Sequence, residues 1–394
     1  MKTATTTVGL IANPASARDI RRLVAHGGAV TTHDKLNRLQ RVLAGLAATG
    51  VERVISMADQ AGIMDGLGRL AERASAGGWP ALEFVDQDIA QTDADTTAAT
   101  RALVDAGVGS IVVLGGDGTN RVVAAASADV PLVSISTGTN NAFPRPVEPT
   151  VAGLAAGLVA TNPHSRQAGT YRAKKLIIHC GDRVEEALVD VAITDTDGVG
   201  AGALWDSTSI SELFMCFAEA DAIGLSAIGG HVQPTPRRSP TGLALVLGEP
   251  VATVVRAPIA PGLVEPVGVR SVSVLEPDST VVVRAASGVV AIDGERMFRF
   301  GPANRPAITL RADGPVVVDV TTTLEHAATH GHLAAAGVVG RGIRPGHEAL
   351  PTPVGATKPN PRRYQREDTE PTRPLHRNGP NQAIRVPNPA GVPR

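Results

Sequence analysis

Ser110-Ile111-Val112-Val113-Leu114-Gly115-Gly116-Asp117-Gly118-Thr119-Asn120 is the stretch on which the fold turns. Ser110–Leu114 reads as a fully apolar strand, the kind found in parallel sheets covered on both faces. The glycines behind it let the backbone approach a ligand and turn its amides inward. A short helix expected over Asn120–Ala126 adds the partial positive charge of its N-terminus. This context suits a polyphosphate, with Gly115, Gly116, Gly118, Thr119 and Asn120 around it. The acid is the unusual element, because a bare phosphate cradle gains nothing from a carboxylate. Asp117 therefore needs another role, either accepting a proton from an attacking hydroxyl or holding Mg²⁺ beside the phosphates. The pattern is neither a Walker loop nor a G-x-G-x-x-G fingerprint, and an ordinary glycine-rich strand-to-helix turn is the plain alternative.

Working outward, short apolar runs alternate with helical periodicity. Strands are expected at Val8–Ala12, Arg53–Met57, Leu82–Val85 and Pro131–Ile135. Helices are expected at Asp34–Ala48, where Leu36, Leu39, Val42, Leu43 and Leu46 share a face, at Asp59–Ala74 and at Thr92–Ala106. That alternation predicts a doubly wound parallel α/β domain over 1–165. From Leu176 the rhythm changes to β-branched runs such as KLIIH (175–179), ALVDVAI (187–193), LALVL (243–247), SVSVL (271–275) and PVVVDV (315–320). These predict a β-rich second domain over 166–344, with one more helix near Leu324–Gly337. Residues 345–394 hold 11 of the 29 prolines, eight basic and four acidic residues, and no apolar period. They read as a disordered, basic, Pro-rich tail.

Composition narrows the function. Formal net charge is −1 and aromatics are 3% of the chain, so neither a global basic field nor stacking platforms point to nucleic acid. No window approaches the ~18 apolar residues of a membrane helix, and no basic amphipathic helix suits a membrane surface. Two cysteines make no disulfide framework and no zinc cluster. A cytoplasmic protein is the expectation. His326 and His330 stand one helical turn apart, but nothing completes a metal motif, and no metal ligands are assigned.

A second polar loop, Ser134-Ile135-Ser136-Thr137-Gly138-Thr139-Asn140-Asn141-Ala142-Phe143-Pro144, follows the next strand. Adjacent carboxyl-end loops of a doubly wound sheet face one crevice, so Thr137, Gly138, Thr139 and Asn140 join the candidate site. Asn13 follows the first strand at the same edge, and Arg18, Arg21 and Arg22 beyond it are candidates to neutralise phosphate charge.

GGDGT after a buried strand, with a GT-N loop some twenty residues later, resembles the superfamily of ATP-dependent NAD kinases and of diacylglycerol and sphingoid lipid kinases. ALVDV (187–191), DAIGLS (221–226) and Ile292-Asp293-Gly294-Glu295 are similar to NAD-kinase segments. NPASARDIRRLV, GGDGTNR, STGTNNAFP and AIGLSAIGG most closely resemble the acetoin-catabolism protein X branch of the ATP-NAD kinase family. The resemblance implies an α/β domain and a β-rich domain with the site in the cleft between them. It implies ATP and NAD(H) as substrates, Mg²⁺ with the ATP, and a homo-oligomer. Asp117 would be the catalytic acid beside the phosphorylated 2′-hydroxyl. Asp190 would contact NAD, with Asn140 and Ser226 in binding positions. Three features depart from the family: Val189 replaces an asparagine, Ala222 replaces a glycine, and Ser226-Ala227-Ile228 lacks the usual threonines. Two alternatives stay open. One is a kinase of a lipid or other metabolite hydroxyl; the other is a catalytically inactive nucleotide-binding regulator linked to acetoin catabolism.

Overall fold

The structure, a computed structural model, describes residues 6–14, 30–74, 78–138, 140–195, 203–204 and 206–334. The Pro-rich tail, the three arginines 18, 21 and 22, and Thr139 lie outside the described residues.

The apolar run found in the sequence is β4 (Ile111–Gly115), buried along its whole length, as is β1 (Thr7–Ala12). With β2 (Arg53–Ser56), β3 (Ala81–Phe84) and β5 (Leu132–Ser136) they form parallel pairs in the order β3-β2-β1-β4-β5. Alternate residues of one strand serve opposite faces. Leu10 packs with Leu39, Val42, Leu43 and Leu46, whereas its neighbour Ile11 packs with Leu103 and Val123. Helices α1 (Thr32–Ala48), α3 (Asp93–Asp105) and α4 (Asp117–Ala126) supply these residues, and α2 (Ile63–Ala74) adds Ile63 and Leu67 to the Leu10 face. Two of them start at capping boxes, Thr31 with Asp34 and Thr92 with Asp95. Because β1 pairs with β2 on one side and β4 on the other, the chain order reverses there. The loops after β1 and β4 thus flank the switch-point crevice.

Four details depart from the sequence expectations. First, α4 starts at Asp117 rather than Asn120, with Gly116 as its N-cap, so the acid lies in the first helical turn. Second, α5 (Pro149–Thr161) and α6 (Pro163–Gly169) follow β5. The α5 sequence PTVAGLAAGLVAT is nearly all small or apolar and shows no amphipathic period, so periodicity alone does not reveal it. Third, the chain returns to the first sheet. β6 (Thr170–Arg172) and β18 (Val316–Val318) extend it beside β5, with Val317 opposite Leu132 and Tyr171. The PVVVDV run is a strand, but strand propensity does not specify which sheet a strand joins. Fourth, α8 (Val320–Thr329) starts earlier than expected, at the N-cap Asp319, and residues 335–337 lie outside the described residues.

The β-rich part contains β7 (Lys175–Cys180), β8 (Arg183–Ala187), β9 (Asp190–Thr194), β10 (Ile210–Met215), β11 (Gly242–Leu247) and β12 (Thr253–Ala260). Next come β13 (Leu263–Leu275), β14 (Thr280–Val282), β15 (Gly288–Ile292), β16 (Glu295–Phe300) and β17 (Ala307–Arg311). They make two antiparallel sheets, β12-β13-β11-β10-β9-β15-β16 and β14-β17-β7-β8, packed around Leu176, Ile178, Val191, Ile193, Ile308 and Leu310. A short helix, α7 (Ser226–Val232), lies beside β12. The ALVDVAI run is not one strand: it breaks at Leu188-Val189, between β8 and β9, for a reason that belongs to the site.

The close crossing of α1 and α5 gives a stability test. A Cβ at Gly153 would collide with the Val42 carbonyl oxygen, and one at Gly45 with that of Thr150, whereas a Cβ at Gly68 in α2 meets nothing within 4 Å. Gly153→Ala is expected to lower stability by about 1–3 kcal/mol through overpacking. Gly68→Ala is expected to raise it by about 0.5–1 kcal/mol as a helical glycine is removed. Urea midpoints of the two variants should move in opposite directions.

Candidate active site

Strand β4 delivers Gly115 and Gly116 into a turn too tight for any side chain. A Cβ on Gly115 would lie 2.5 Å from Thr119 Cβ, and one on Gly116 2.8 Å from Asn141 Oδ1. These two glycines are therefore fixed by the packing of the loop on its own helix and on the next loop. Gly118 is more open, with Glu295 carboxylate oxygens 3.9 Å from an added Cβ. Asn120 is fully buried and donates from Nδ2 to the Gly116 carbonyl at 2.8 Å, closing the turn. Asn13, at the end of β1, donates to Thr119 Oγ1 at 2.9 Å, so two crevice loops touch side chain to side chain.

Half-buried Asp117 reaches across to the third loop. Its carboxylate accepts the backbone N–H of Phe143 at 2.8 Å and that of Ala142 at 3.1 Å. Charge-assisted bonds of this kind are roughly twice as strong as neutral ones. From the opposite side, Arg237 donates to the carbonyls of the same two residues. Within the loop, Asn141 donates to Ser136 Oγ at 2.9 Å, which donates in turn to the Gly138 carbonyl at 2.8 Å. Thr137 is buried and its Oγ1 has no hydrogen-bond partner among the described residues. Two α1 side chains one turn apart support the strand ends from beneath. Lys35, 2% exposed, donates to the carbonyls of Asn13 and Pro14, and Arg38 donates to that of Ser136.

The β15–β16 hairpin closes the other wall. Asp293 and Gly294 both have positive φ, 49° and 77°, as a two-residue type I′ turn requires. The Asp293 side chain turns inward and accepts N–H bonds from Leu188 at 3.0 Å and Val189 at 2.8 Å. This is why ALVDVAI bends: its amides at the bend are committed to a carboxylate instead of a ladder. Arg121, one turn after Asp117 on α4, pairs with Asp293 at 3.3 Å. Burial pushes the Asp293 carboxyl up to about 7, opposed by Arg121 and reinforced by the negative charge of Asp117. Asp190 is buried at the start of β9, and its carbonyl accepts the Asp293 N–H.

Residues 8–162 match the ATP-NAD kinase N-terminal domain family, and residues 174–313 match the acetoin catabolism protein X C-terminal domain family. Acetoin catabolism protein X of Cupriavidus necator is 42% identical over 335 residues, covering 83% of this chain and 93% of that protein. The chain belongs to the acetoin catabolism protein X branch of the ATP-NAD kinase family. Its parallel-sheet N-terminal domain and β-rich C-terminal region, both expected from the sequence, are the architecture that this membership carries.

Within this family member, the structure brings Asn13, Gly116, Asp117, Thr119 and Asn120 together, and ties the Gly138–Asn141 loop to them. Ser226 is fully buried at the start of α7, and its Oγ has no partner among the described residues. Gly224, two residues earlier, lies 3.9 Å from the Asn140 amide through its added Cβ. Sequence reasoning missed Arg121 and Arg237. Arg121 carries a signal in hindsight, being one helical turn from the acid; Arg237 carries none. The weaker groups resolve plainly: His326 and His330 stack ring on ring at 4.1 Å, and Cys216 is a core residue.

The raised Asp293 value sets a pH dependence. The folded protein holds a proton on Asp293 up to about pH 7, which the unfolded chain releases near 3.8, so folded stability falls as pH rises between those values. Urea midpoints measured across that window should show this fall in the wild type, and Asp293→Asn should flatten it.

Proposed function

We propose that this chain is an ATP-dependent small-molecule kinase that transfers the γ-phosphoryl group to the 2′-hydroxyl of NAD or NADH. The observation that carries the reading is the placement of Asp117. An acid in the first turn of α4, at the switch-point crevice, is aimed by two backbone N–H bonds rather than left to rotate. In this reading Asp117 takes the proton of the attacking hydroxyl. The amides at the start of α4, with the helix dipole behind them, offset the charge on the transferring phosphoryl group. The open side of Gly118 faces the phosphates, and Asn13, Thr137, Asn140, Asp190 and Ser226 are the proposed nucleotide-binding groups, with Thr139 beside them in sequence. The proposed domains are 1–165 and 166–344, with β6 and β18 of the second stretch crossing back to the first sheet. Cytoplasmic residence and homo-oligomerisation come with the family likeness.

Among the described residues, no group of three or more His, Cys, Asp or Glu side chains is placed to hold a metal ion. Mg²⁺ bound with a nucleotide ordinarily rests on one or two carboxylates plus phosphate oxygens. The exposed Glu295 carboxylate beside Gly118 fits that requirement. When bound, the ion would neutralise phosphate charge.

A specific observation favours a second acceptor class. Val189, standing where the family resemblance expects an asparagine, is 1% exposed and packed in the core. That position therefore offers a nucleotide no side-chain contact, and a different metabolite hydroxyl is the alternative acceptor. No described helix is long and apolar enough to cross a membrane.

Purified protein with Mg²⁺-ATP and NAD, scored for NADP, tests both readings. Wild type should form NADP, and Asp117→Asn should lose about 10²- to 10⁴-fold in rate with a native circular-dichroism spectrum. A full rate in Asp117→Asn removes the assigned role. ATP-dependent phosphorylation of another hydroxyl, without NADP, selects the second acceptor class.

A further inference from the structure

A cavity of about 440 Å³ lies behind the Ala142-Phe143 peptides, on the side away from Asp117. That size is within the range of small-molecule pockets, about 300–1,000 Å³. Phe143, Val147, Tyr171 and Val317 form apolar lining, and Arg145, Arg237 and Arg238 supply charge. Two carboxylates answer the three guanidiniums. Glu219 bridges Arg145 and Arg237, each at 2.8 Å, and Asp319 pairs with Arg238 at 2.8 Å. One positive charge is left in excess. The first residues of α8, Val320 to Thr322, also line the cavity, with the Asp319 carboxylate capping the helix at the Thr322 N–H. Ser134 Oγ, in the lining, is shielded from solvent and has no hydrogen-bond partner among the described residues. Arg238 lies over the Tyr171 ring at 4.7 Å, so charge and aromatic surface meet at one point.

We propose that this cavity binds a small organic anion, an apolar or aromatic body bearing one carboxylate or phosphate group, as an effector. The excess guanidinium charge suits the anionic group, and the apolar lining suits the body. Arg237 connects the cavity to the catalytic loop. Its guanidinium holds the two carbonyls whose N–H partners aim Asp117, while its Nε shares Glu219 with Arg145. An anion that draws Arg145 off Glu219 changes the charge balance on Arg237, and through it the clamp on Asp117. The binding claim stands by itself, and the effector claim rests on the proposed phosphotransfer.

Calorimetry on the full chain with phenyl phosphate, benzoate and benzyl alcohol tests binding whether or not the protein phosphorylates anything. At least one of the two anions should bind and the alcohol should not, with the two anions separating phosphate from carboxylate preference. Arg145 and Arg238 are 57% and 51% exposed, so Arg145→Met and Arg238→Met are expected to fold. Each should weaken anion binding about tenfold, a typical loss for a charge-assisted contact, and Asp117→Asn should leave it intact. Equal binding of the alcohol, unchanged affinity in both arginine variants, or loss confined to Asp117→Asn would each overturn the site. In the kinase assay, the saturating anion should change the wild-type rate, and the half-effect concentration should rise about tenfold in Arg238→Met. An unmoved wild-type rate overturns the effector role while leaving the phosphotransfer reading intact.

Discussion

The Asp117 carboxylate and the two backbone N–H groups it accepts, from Ala142 and Phe143, are the constraint on which the site depends. One interaction joins the loop after β4 to the loop after β5, and so joins the glycine turn to the polar crevice wall. Arg237 grips the carbonyls of the same two residues, so the one peptide between Ala142 and Phe143 is held at both its C=O and its N–H. A peptide with a carboxylate on its N–H side and a guanidinium on its C=O side is polarised along one direction, and each bond strengthens the other. The loop is thereby held as a fixed dipole, which is what a site that must meet developing charge without reorganising requires.

A second charged link joins the two parts of the chain. Arg121 on α4 meets Asp293 on the β15–β16 hairpin, and Asp293 also takes the amides at the break between β8 and β9. A buried ion pair is weak evidence of stability, because desolvation offsets much of its attraction. Its effect here is geometric. Asp117 and Arg121 ride on the same helix, so fixing Arg121 against the hairpin fixes the orientation of the helix turn that carries the acid. The neutral-range protonation of Asp293 follows from that burial.

The return of β18 to the first sheet gives the fold its last element of function. It places the start of α8 at the carboxyl edge, beside β5. The same crossover brings Asp319 against Arg238 and leaves the charged cavity between β18 and the 236–238 segment. Phe143 thus belongs both to the loop that holds Asp117 and to the lining of the cavity.

Much of this was legible in the residues themselves. The order of strands and helices to Ser136, the Asp293-Gly294 turn and the GGDGT loop all rest on local chemistry: burial period, positive-φ preference and glycine clearance. The family resemblance added the second domain's role. What the sequence could not show depends on contacts distant along the chain. No period reveals α5, which is small and apolar all round. No propensity tells β18 which sheet to join. Nothing near Arg237 marks it as the grip on residues 142 and 143, 94 and 95 positions away. Nor does ALVDVAI show that its amides will turn to a carboxylate 104 residues on. The sequence by itself determined which segments are strands and helices, and that a carboxylate stands in a phosphate-type turn, because those properties are set within a few residues. Only the tertiary structure decided which charges meet, because a buried charge takes its partner from whatever the completed fold brings within a few ångströms.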